Sequence, residues 1–295
     1  MSQVTIGVPI YNEEKTLEYS LDSIVLSASK LDLPYDIVLC FNGTTDGCRS
    51  IAENYHFPLK IIESSKGKPW AIQSINNHSD ADFFIFTDAD TVVHPDCFSK
   101  LINAYSPKVM AVTGRPLPYP NNSLVYNIIN ARMLNQDAEV SKNPLAKMKQ
   151  KPFLHGRIYS VRKMVMDELT LKFSENLGDD TFLSHHLFLY YGRESIVCVK
   201  DANVSYHPVT SIGSWWKKWS RIWKDLDNLY QNNPEFNAVK KDMETKIDWS
   251  AVPLDHRSRF VCERILHHIG HAYFEVIKNY REIGWTRLDD TKVIK

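Results

Sequence analysis

Apolar and polar positions follow two different periods along this chain, and the switches between them mark out its elements. Val4-Thr5-Ile6-Gly7-Val8 is a β-rich run stopped by Pro9. From Asn12-Glu13-Glu14 onward the apolar positions Leu17, Leu21, Ile24, Val25 and Ala28 recur at helical spacing. Ile37-Val38-Leu39-Cys40-Phe41 predicts a second strand. It is closed by the turn formers Asn42-Gly43-Thr44-Thr45-Asp46-Gly47 and followed by a helix through Ile51 and Ala52. Lys60-Ile61-Ile62 predicts a third strand before Lys66-Gly67-Lys68 and a helix near Trp70 to Ile75. Phe83-Phe84-Ile85-Phe86 predicts a fourth, buried on both faces, then a helix from Asp96 to about Ala104 and a fifth strand over Val109 to Thr113.

Strands alternating with helices in this way predict a mostly parallel sheet with right-handed crossovers and helices on both faces. Ligands of such sheets sit beyond the carboxyl ends of the strands. The loops Pro9 to Glu13, Asn42 to Asp46 and Asp88 to Asp90 follow the first, second and fourth strands, so they are expected to line one crevice.

Past Arg115 the alternation breaks. Pro116, Pro118 and Pro120 lead into a helical stretch from Leu124 to about Glu139, then a polar, Lys-rich loop from Ser141 to Lys151. A strand from Phe153 to Val161 crosses His155-Gly156-Arg157, and Gly178-Asp179-Asp180 opens a helix, where helix capping accounts for one acid but not for two. Short strands over Ile196–Val199 and Val204–Tyr206 end at His207-Pro208. An amphipathic helix from Ser214 to about Tyr230 holds Trp215, Trp216, Trp219 and Trp223 among Lys217, Lys218, Arg221 and Lys224. A polar stretch over 232–256 precedes a last helix from Arg257 to about Arg281. The expected organisation is a first half over 1–115, a second half of the same domain over 116–230, and a helical extension over 231–295.

The chemistry starts where the fourth strand ends. A buried strand cannot hold the two carboxylates of Asp88 and Asp90, so it must stop at Thr87. In extended chain the two point the same way, with Ala89 making no steric demand between them. Facing carboxylates repel unless a cation lies between them, and hard oxygen ligands favour magnesium, manganese or calcium, often shared with substrate phosphates.

Composition narrows the partners. Lys plus Arg equals Asp plus Glu at 35 each, so no bulk basic field points to nucleic acid. Five scattered cysteines, without a CxxC pair, argue for a reducing compartment and against a disulfide framework or zinc cluster. No apolar run approaches the roughly 20 residues that cross a bilayer, and no charged leader with an apolar signal region opens the chain. The expectation is a cytoplasmic protein, with attachment to the inner face of a membrane left open. His267 and His271 form an i, i+4 pair on the last helix, but no HExxH pattern completes them. The apolar stripe of that helix fits packing on the domain, docking of a second copy, or a membrane surface.

Val8-Pro9-Ile10-Tyr11-Asn12-Glu13-Glu14, Asn42 to Gly47, Lys66-Gly67-Lys68 and Thr87-Asp88-Ala89-Asp90 resemble, in order and spacing, the N-terminal half of the family 2 glycosyltransferases of the GT-A fold. Gly178-Asp179-Asp180-Thr181 resembles that family's acidic pair, which supplies the catalytic base, and the resemblance covers about residues 3–210. It implies an α/β domain of GT-A type and inverting transfer from a nucleotide-diphosphate sugar, UDP-sugar favoured, to an acceptor hydroxyl. By position, Pro9, Tyr11 and Glu13 would shape the base and ribose pocket, and Lys66 or Lys68 would approach the base or diphosphate. Asp88 with Ala89 would contact the ribose or a metal-bound water, Asp90 would ligate Mg²⁺ or Mn²⁺, and His207 would complete the metal site. Asp180 would be the general base and Asp179 its orienting partner. Asn42 departs from the Asp the family often places against uracil, which leaves other bases open. The Trp215 helix matches the family's Gln/Arg-x-x-Arg-Trp motif only in part, which argues against processive synthesis. A saccharide, a lipid-linked glycan or a small molecule could accept the sugar. The competing readings are a sugar nucleotidyltransferase, which has no need of the Asp179-Asp180 pair, and a non-catalytic scaffold that binds nucleotide sugar.

Overall fold

The computed structural model describes residues 3–142, 153–169 and 178–277. Most of the Lys-rich stretch from Ser141 to Lys151, the residues just before Gly178 and the last positions, 278–281, of the helix expected from the sequence lie outside them. In chain order the elements are β1 (Val4–Ile10), α1 (Leu17–Ala28), β2 (Tyr35–Phe41), α2 (Cys48–Glu53), β3 (Lys60–Glu63), α3 (Lys68–Asn77), β4 (Phe83–Thr87), β5 (Thr91–Val93), α4 (Cys97–Asn103) and β6 (Ala111–Pro118). Then follow α5 (Leu124–Ile129), α6 (Ala131–Leu134), β7 (Glu139–Ser141), β8 (Ile158–Arg162), α7 (Lys163–Glu168), α8 (Asp179–Tyr191), β9 (Ile196–Tyr206), α9 (Ile212–Asn232), α10 (Lys240–Met243), β10 (Thr245–Ile247) and α11 (Arg257–Ile277). By contacts the chain forms two compact units. One comprises the residues up to Pro116 with Phe153–Tyr206, and the other the stretches that begin at Leu117 and His207.

The first unit holds an eight-stranded sheet in the order β3-β2-β1-β4-β8-β6-β9-β5. Its β3-β2-β1-β4 half is parallel, as the alternation predicts, while β8 runs antiparallel to both β4 and β6. Reversed β8 carries the chain back beside β4 from the other direction, so Arg157, just before β8, sits level with Thr87 at the end of β4. The core is built from the alternate inward residues of β1, β2 and β4 together with Leu17, Leu21 and Ile24 of α1.

Several boundaries differ from the sequence expectation for definable reasons. Pro9 does not end β1: it pairs with Cys40 of β2, while pairing with β4 stops at Gly7, so the missing N–H is not required on that side. Gly7 is obligatory for a different reason, since a Cβ there would lie 2.8 Å from the Phe86 ring. Residues 196–206 form one strand rather than two, because β9 continues alongside β5. The long helix expected from Leu124 breaks at Asn130, whose amide donates to the carbonyls of Tyr126 and Val209, and its end becomes β7.

The second unit packs Trp215 and Trp223 of α9 against Ile129, Val209 and Phe274. Gly270 of α11 is where the tryptophans approach: a Cβ there would lie 3.1 Å from Trp223 and 3.2 Å from Trp215. The tryptophan face of α9 is therefore core, and His267 is folded into it, its ring edge-on to Trp219 at 4.6 Å. Burial, with Arg132 and Arg264 adding to it, depresses the His267 pKa to about 3, which keeps the imidazole neutral. On its other side α11 exposes Val261, Ile265, Ile269, Tyr273 and Val276. No helix among the described residues is long and apolar enough to cross a membrane.

One acid inside this unit makes a checkable contribution to stability. Glu263 is fully buried, neither of its carboxyl oxygens has a hydrogen-bond partner among the described residues, and burial, opposed by Arg132 and Arg264, raises its pKa to about 7. Glu139 adds to the rise and Lys218 opposes it. The folded state thus keeps a proton between about pH 4.5 and 7 that the unfolded chain has released, so stability falls as pH rises through that window. Glu263→Gln should remove this loss, stabilising the protein by up to about 3 kcal/mol above pH 7 and by little at pH 5. Parallel thermal melts of both proteins at the two pH values check it; a difference independent of pH would show that Glu263 is ionised throughout.

Candidate active site

All the strand ends expected to line one crevice belong to the first unit, and local bonding explains how their loops are held. Asn12, at φ +56°, turns the chain after β1, and its side-chain oxygen accepts the Thr45 N–H at 2.8 Å. Thr44 donates to the Ile10 carbonyl at 2.8 Å, and Asp46 accepts from the backbone of Glu14 and Cys48. The loops after β1 and β2 are therefore tied into one wall. On it Asn42 is buried at the end of β2, and Lys66 lies over the Tyr11 ring at 5.3 Å. Gly43, at φ +86°, brings the backbone against the Lys66 stem, 3.3 Å from a Cβ position. Pro9 is buried in β1 and acts through the strand, whereas the Glu13 carbonyl accepts from Thr16 and Leu17 and so starts α1.

The opposite wall is ionic. Asp88 and Asp90 follow β4, with buried Ala89 between them, its carbonyl held by the Thr16 hydroxyl at 3.2 Å. Lys68, the first residue of α3, reaches across to Asp88 Oδ1 at 2.7 Å and to the Gly156 carbonyl at 2.6 Å. The same Nζ lies 3.6 Å from Asp179 Oδ1. This one ammonium joins carboxylates that are 91 positions apart in the chain. The sequence reading required Asp88 and the acidic pair to share a pocket, and the structure brings them together.

The acidic pair divides into two environments. Asp179, the first residue of α8, is nearly buried, accepts from the Tyr159 hydroxyl at 2.9 Å, and is paired with Lys68. Burial pushes its pKa up to about 6 against the pull of Lys68, with Asp180 and Asp88 adding to the rise. Burial alone would lower the Lys68 pKa, but Asp179 and Asp88 overcome it and hold the ammonium protonated. Asp180 is held differently, beside the same Gly156 whose carbonyl Lys68 takes. Its Oδ2 accepts the Gly156 N–H at 2.7 Å and its Oδ1 accepts the Thr181 N–H at 2.8 Å, so the carboxylate is oriented by two backbone donors. The approach at 156 is close: a Cβ there would stand 3.0 Å from Asp180 Oδ2, so a larger residue would push that carboxylate aside.

Arg157 is the cation that the sequence reading passed over. Its guanidinium lies 3.9 Å over the Tyr206 ring, within electrostatic reach of Asp90, Asp88 and Asp180. The only signal was a charged residue at the head of the apolar strand Ile158-Tyr159-Ser160-Val161, and a strand can begin with a charge for no chemical reason.

No group of three or more His, Cys, Asp or Glu side chains converges on a metal position among the described residues. The donor set nevertheless suits a hard divalent cation shared with substrate phosphates, which needs only one or two protein carboxylates. Among the described residues, four carboxylates, Asp88, Asp90, Asp179 and Asp180, face two cations, Lys68 and Arg157, so the ionised cluster is short of positive charge. His207 belongs to the second unit, where its ring centroid is 4.5 Å from that of Tyr119.

Comparisons with known proteins agree with this architecture. A 108-residue stretch is 27% identical to an undecaprenyl-phosphate 4-deoxy-4-formamido-L-arabinose transferase of Proteus mirabilis, covering 35% of this chain and 33% of that protein. A 122-residue stretch is 29% identical to a poly-beta-1,6-N-acetyl-D-glucosamine synthase of Staphylococcus aureus, covering 38% of this chain and 28% of that one. The matches thus span about a third of the length of these relatives. Among solved structures, a mannosyltransferase from Pyrobaculum calidifontis in complex with GDP-Man and Mn²⁺ aligns with a TM-score of 0.57 at 18% identity, over 95% of this chain and 81% of that one. Glucosyl-3-phosphoglycerate synthase from Mycobacterium tuberculosis, in complex with Mn²⁺, UDP-glucose and glycerol 3-phosphate, aligns with a TM-score of 0.54 at 16% identity, over 78% and 79% of the two chains. At these identities the structures establish a shared GT-A fold. The family model of glycosyl transferase family 2 matches residues 5–170, more than half of the 295 residues, and the chain belongs to that family.

Proposed function

We propose that this protein transfers a sugar from a nucleotide-diphosphate sugar to an acceptor hydroxyl, inverting the anomeric centre, with Asp180 as general base. The observation that carries the reading is the Lys68 bridge between Asp88 and Asp179, which sets the carboxylates after β4 and the acids opening α8 around one point. Family membership and the donors named for the fold neighbours, UDP-glucose and GDP-Man, support a nucleotide sugar.

Each part of the chain then has a task. The tied loops after β1 and β2, with Tyr11, Asn42 and Lys66, form the wall against which the nucleoside would lie. Asp90 and Asp88 would hold Mg²⁺ or Mn²⁺, which when bound supplies Lewis-acid stabilisation of the departing diphosphate. His207 is proposed as a further ligand on chain order, since it follows Tyr206, the strand partner of Thr91 next to Asp90. An acceptor hydroxyl has a pKa far above neutrality and needs a carboxylate within hydrogen-bond reach as it attacks. The backbone donors on Asp180 hold that carboxylate in place, while Asp179, engaged by Tyr159 and Lys68, fixes the helix end that presents it.

Incubation with Mn²⁺ and a panel of UDP-, GDP- and dTDP-sugars should release nucleoside diphosphate from one of them. Pyrophosphate exchange instead would mark a nucleotidyltransferase, and binding without turnover a scaffold. The same assay on His207→Ala removes that residue from the metal site if the Mn²⁺ requirement is unchanged.

A further inference from the structure

Two cations stand among the carboxylates of this site, and they are differently employed. Lys68 has committed its N–H donors to the protein: one to Asp88, one to the Gly156 carbonyl, and Asp179 lies 3.6 Å away. An ammonium has three donors, so little of Lys68 remains for a ligand. Arg157 is the opposite case. Among the described residues its guanidinium makes no hydrogen bond, and its Nε is shielded from solvent without a partner. The plane is supported on Tyr206 at 3.9 Å, and Asp90, Asp88 and Asp180 act on it electrostatically without closing an ion pair. The Arg157 carbonyl is fixed by the Thr87 hydroxyl at 3.0 Å, which ties the base of this side chain to the end of β4. A side chain with five N–H donors, held at its root and along its face and left uncommitted at its fork, has the form of an anion receptor.

We propose that Arg157 is the anion-recognition residue of the site, its guanidinium taking phosphate oxygens of a substrate, either the donor's diphosphate or a phosphate on the acceptor. The inference rests on the transferase reading and adds to it the group that binds negative charge. The carboxylates around Arg157 explain why a planar fork serves here. They keep the cation charged and in place, yet none of them saturates it, so an incoming phosphate finds a prepaid orientation and two parallel donors.

Electrostatics supplies a test that a purely structural role could not pass. Removing the positive charge should make the carboxylate cluster bind metal more tightly and phosphate more weakly, so the two affinities move in opposite directions. We would measure Mn²⁺ binding to the protein alone by electron paramagnetic resonance, and then, with Mg²⁺ present, calorimetric binding of UDP, GDP, dTDP and the matching nucleosides. The proteins compared are the wild type, Arg157→Met and Arg157→Lys, the last keeping the charge but losing the fork. Arg157→Met should bind Mn²⁺ several-fold more tightly, and phosphate ligands about 10- to 100-fold more weakly, the loss expected of a charge-assisted pair. Arg157→Lys should leave Mn²⁺ binding near the wild-type value and still weaken phosphate binding.

If the preferred nucleoside diphosphate weakens while its nucleoside does not, Arg157 holds the donor. If the diphosphate is unaffected but inorganic phosphate no longer binds the nucleotide-loaded protein, it holds the acceptor. Unchanged binding of both, or Mn²⁺ and phosphate weakening together with a lower melting temperature, would overturn the assignment. A wild-type protein that takes none of the nucleoside diphosphates would instead overturn the transferase reading on which it rests.

Discussion

Asp180→Asn is expected to retain binding of the donor and to lose turnover by about 10²- to 10⁴-fold, the usual contribution of a general base. The amide has nearly the shape of the carboxylate but cannot accept the acceptor's proton. It also has one accepting oxygen where Asp180 uses two, for the Gly156 and Thr181 N–H groups, so one backbone donor loses its partner. That cost falls on the start of α8, and a small drop in melting temperature should accompany the kinetic loss. The measurement that separates the two is calorimetric binding of the nucleotide sugar beside single-turnover transfer. Intact binding with lost transfer identifies the base, and near-normal transfer removes Asp180 from the mechanism. Asp180→Glu, which keeps the charge but moves it by one methylene, should recover little, because effective proton transfer depends on placement within an ångström.

Lys68→Met should destabilise the fold by about 3 kcal/mol, because it strands Asp88 and Asp179 beside each other in a site largely closed to water. Part of that loss is recoverable. Asp179 already takes up a proton at about pH 6, and without the ammonium it should do so at higher pH, discharging the repulsion. Asp179→Asn imitates the protonated acid, so Lys68→Met with Asp179→Asn should cost less than the sum of the single changes by more than about 1 kcal/mol. Denaturant melts of the four proteins give the coupling directly; additive effects within about 0.5 kcal/mol would show that Lys68 and Asp179 do not act on each other. The same cycle bears on chemistry, since without Lys68 the acid opening α8 loses its tie to the loop after β4.

The strands through β4 were legible because buried parallel strands leave apolar runs, unbroken over Ile37 to Phe41 and Phe83 to Phe86 and β-rich over Val4 to Val8, and because Thr87-Asp88 puts a carboxylate where such a run must stop. Their loops could be assigned to one crevice by the general geometry of such sheets. Past Arg115 this logic weakened. Nothing in Ile158-Tyr159-Ser160-Val161 says that the strand runs backwards between β4 and β6, and that reversal is what puts Gly156 and Arg157 beside Asp88. The break at Asn130 escaped for a similar reason, since the carbonyl of Val209 that receives its amide lies 79 positions away.

The sequence by itself determined which residues could do chemistry and where the chain would offer them: Asp88 and Asp90 after a strand, Asp179 and Asp180 at the head of a helix, in an order shared with a known family. Those are matters of local period, local sterics and short-range charge, which a chain expresses whatever surrounds it. Tertiary structure alone decided the division of labour. It committed Lys68 to the protein, buried Asp179 while leaving Asp180 oriented by two backbone donors, and left Arg157 supported but unspent. Those outcomes depend on which groups are desolvated together, and the free energy of a charge is set by its neighbours in space rather than along the chain.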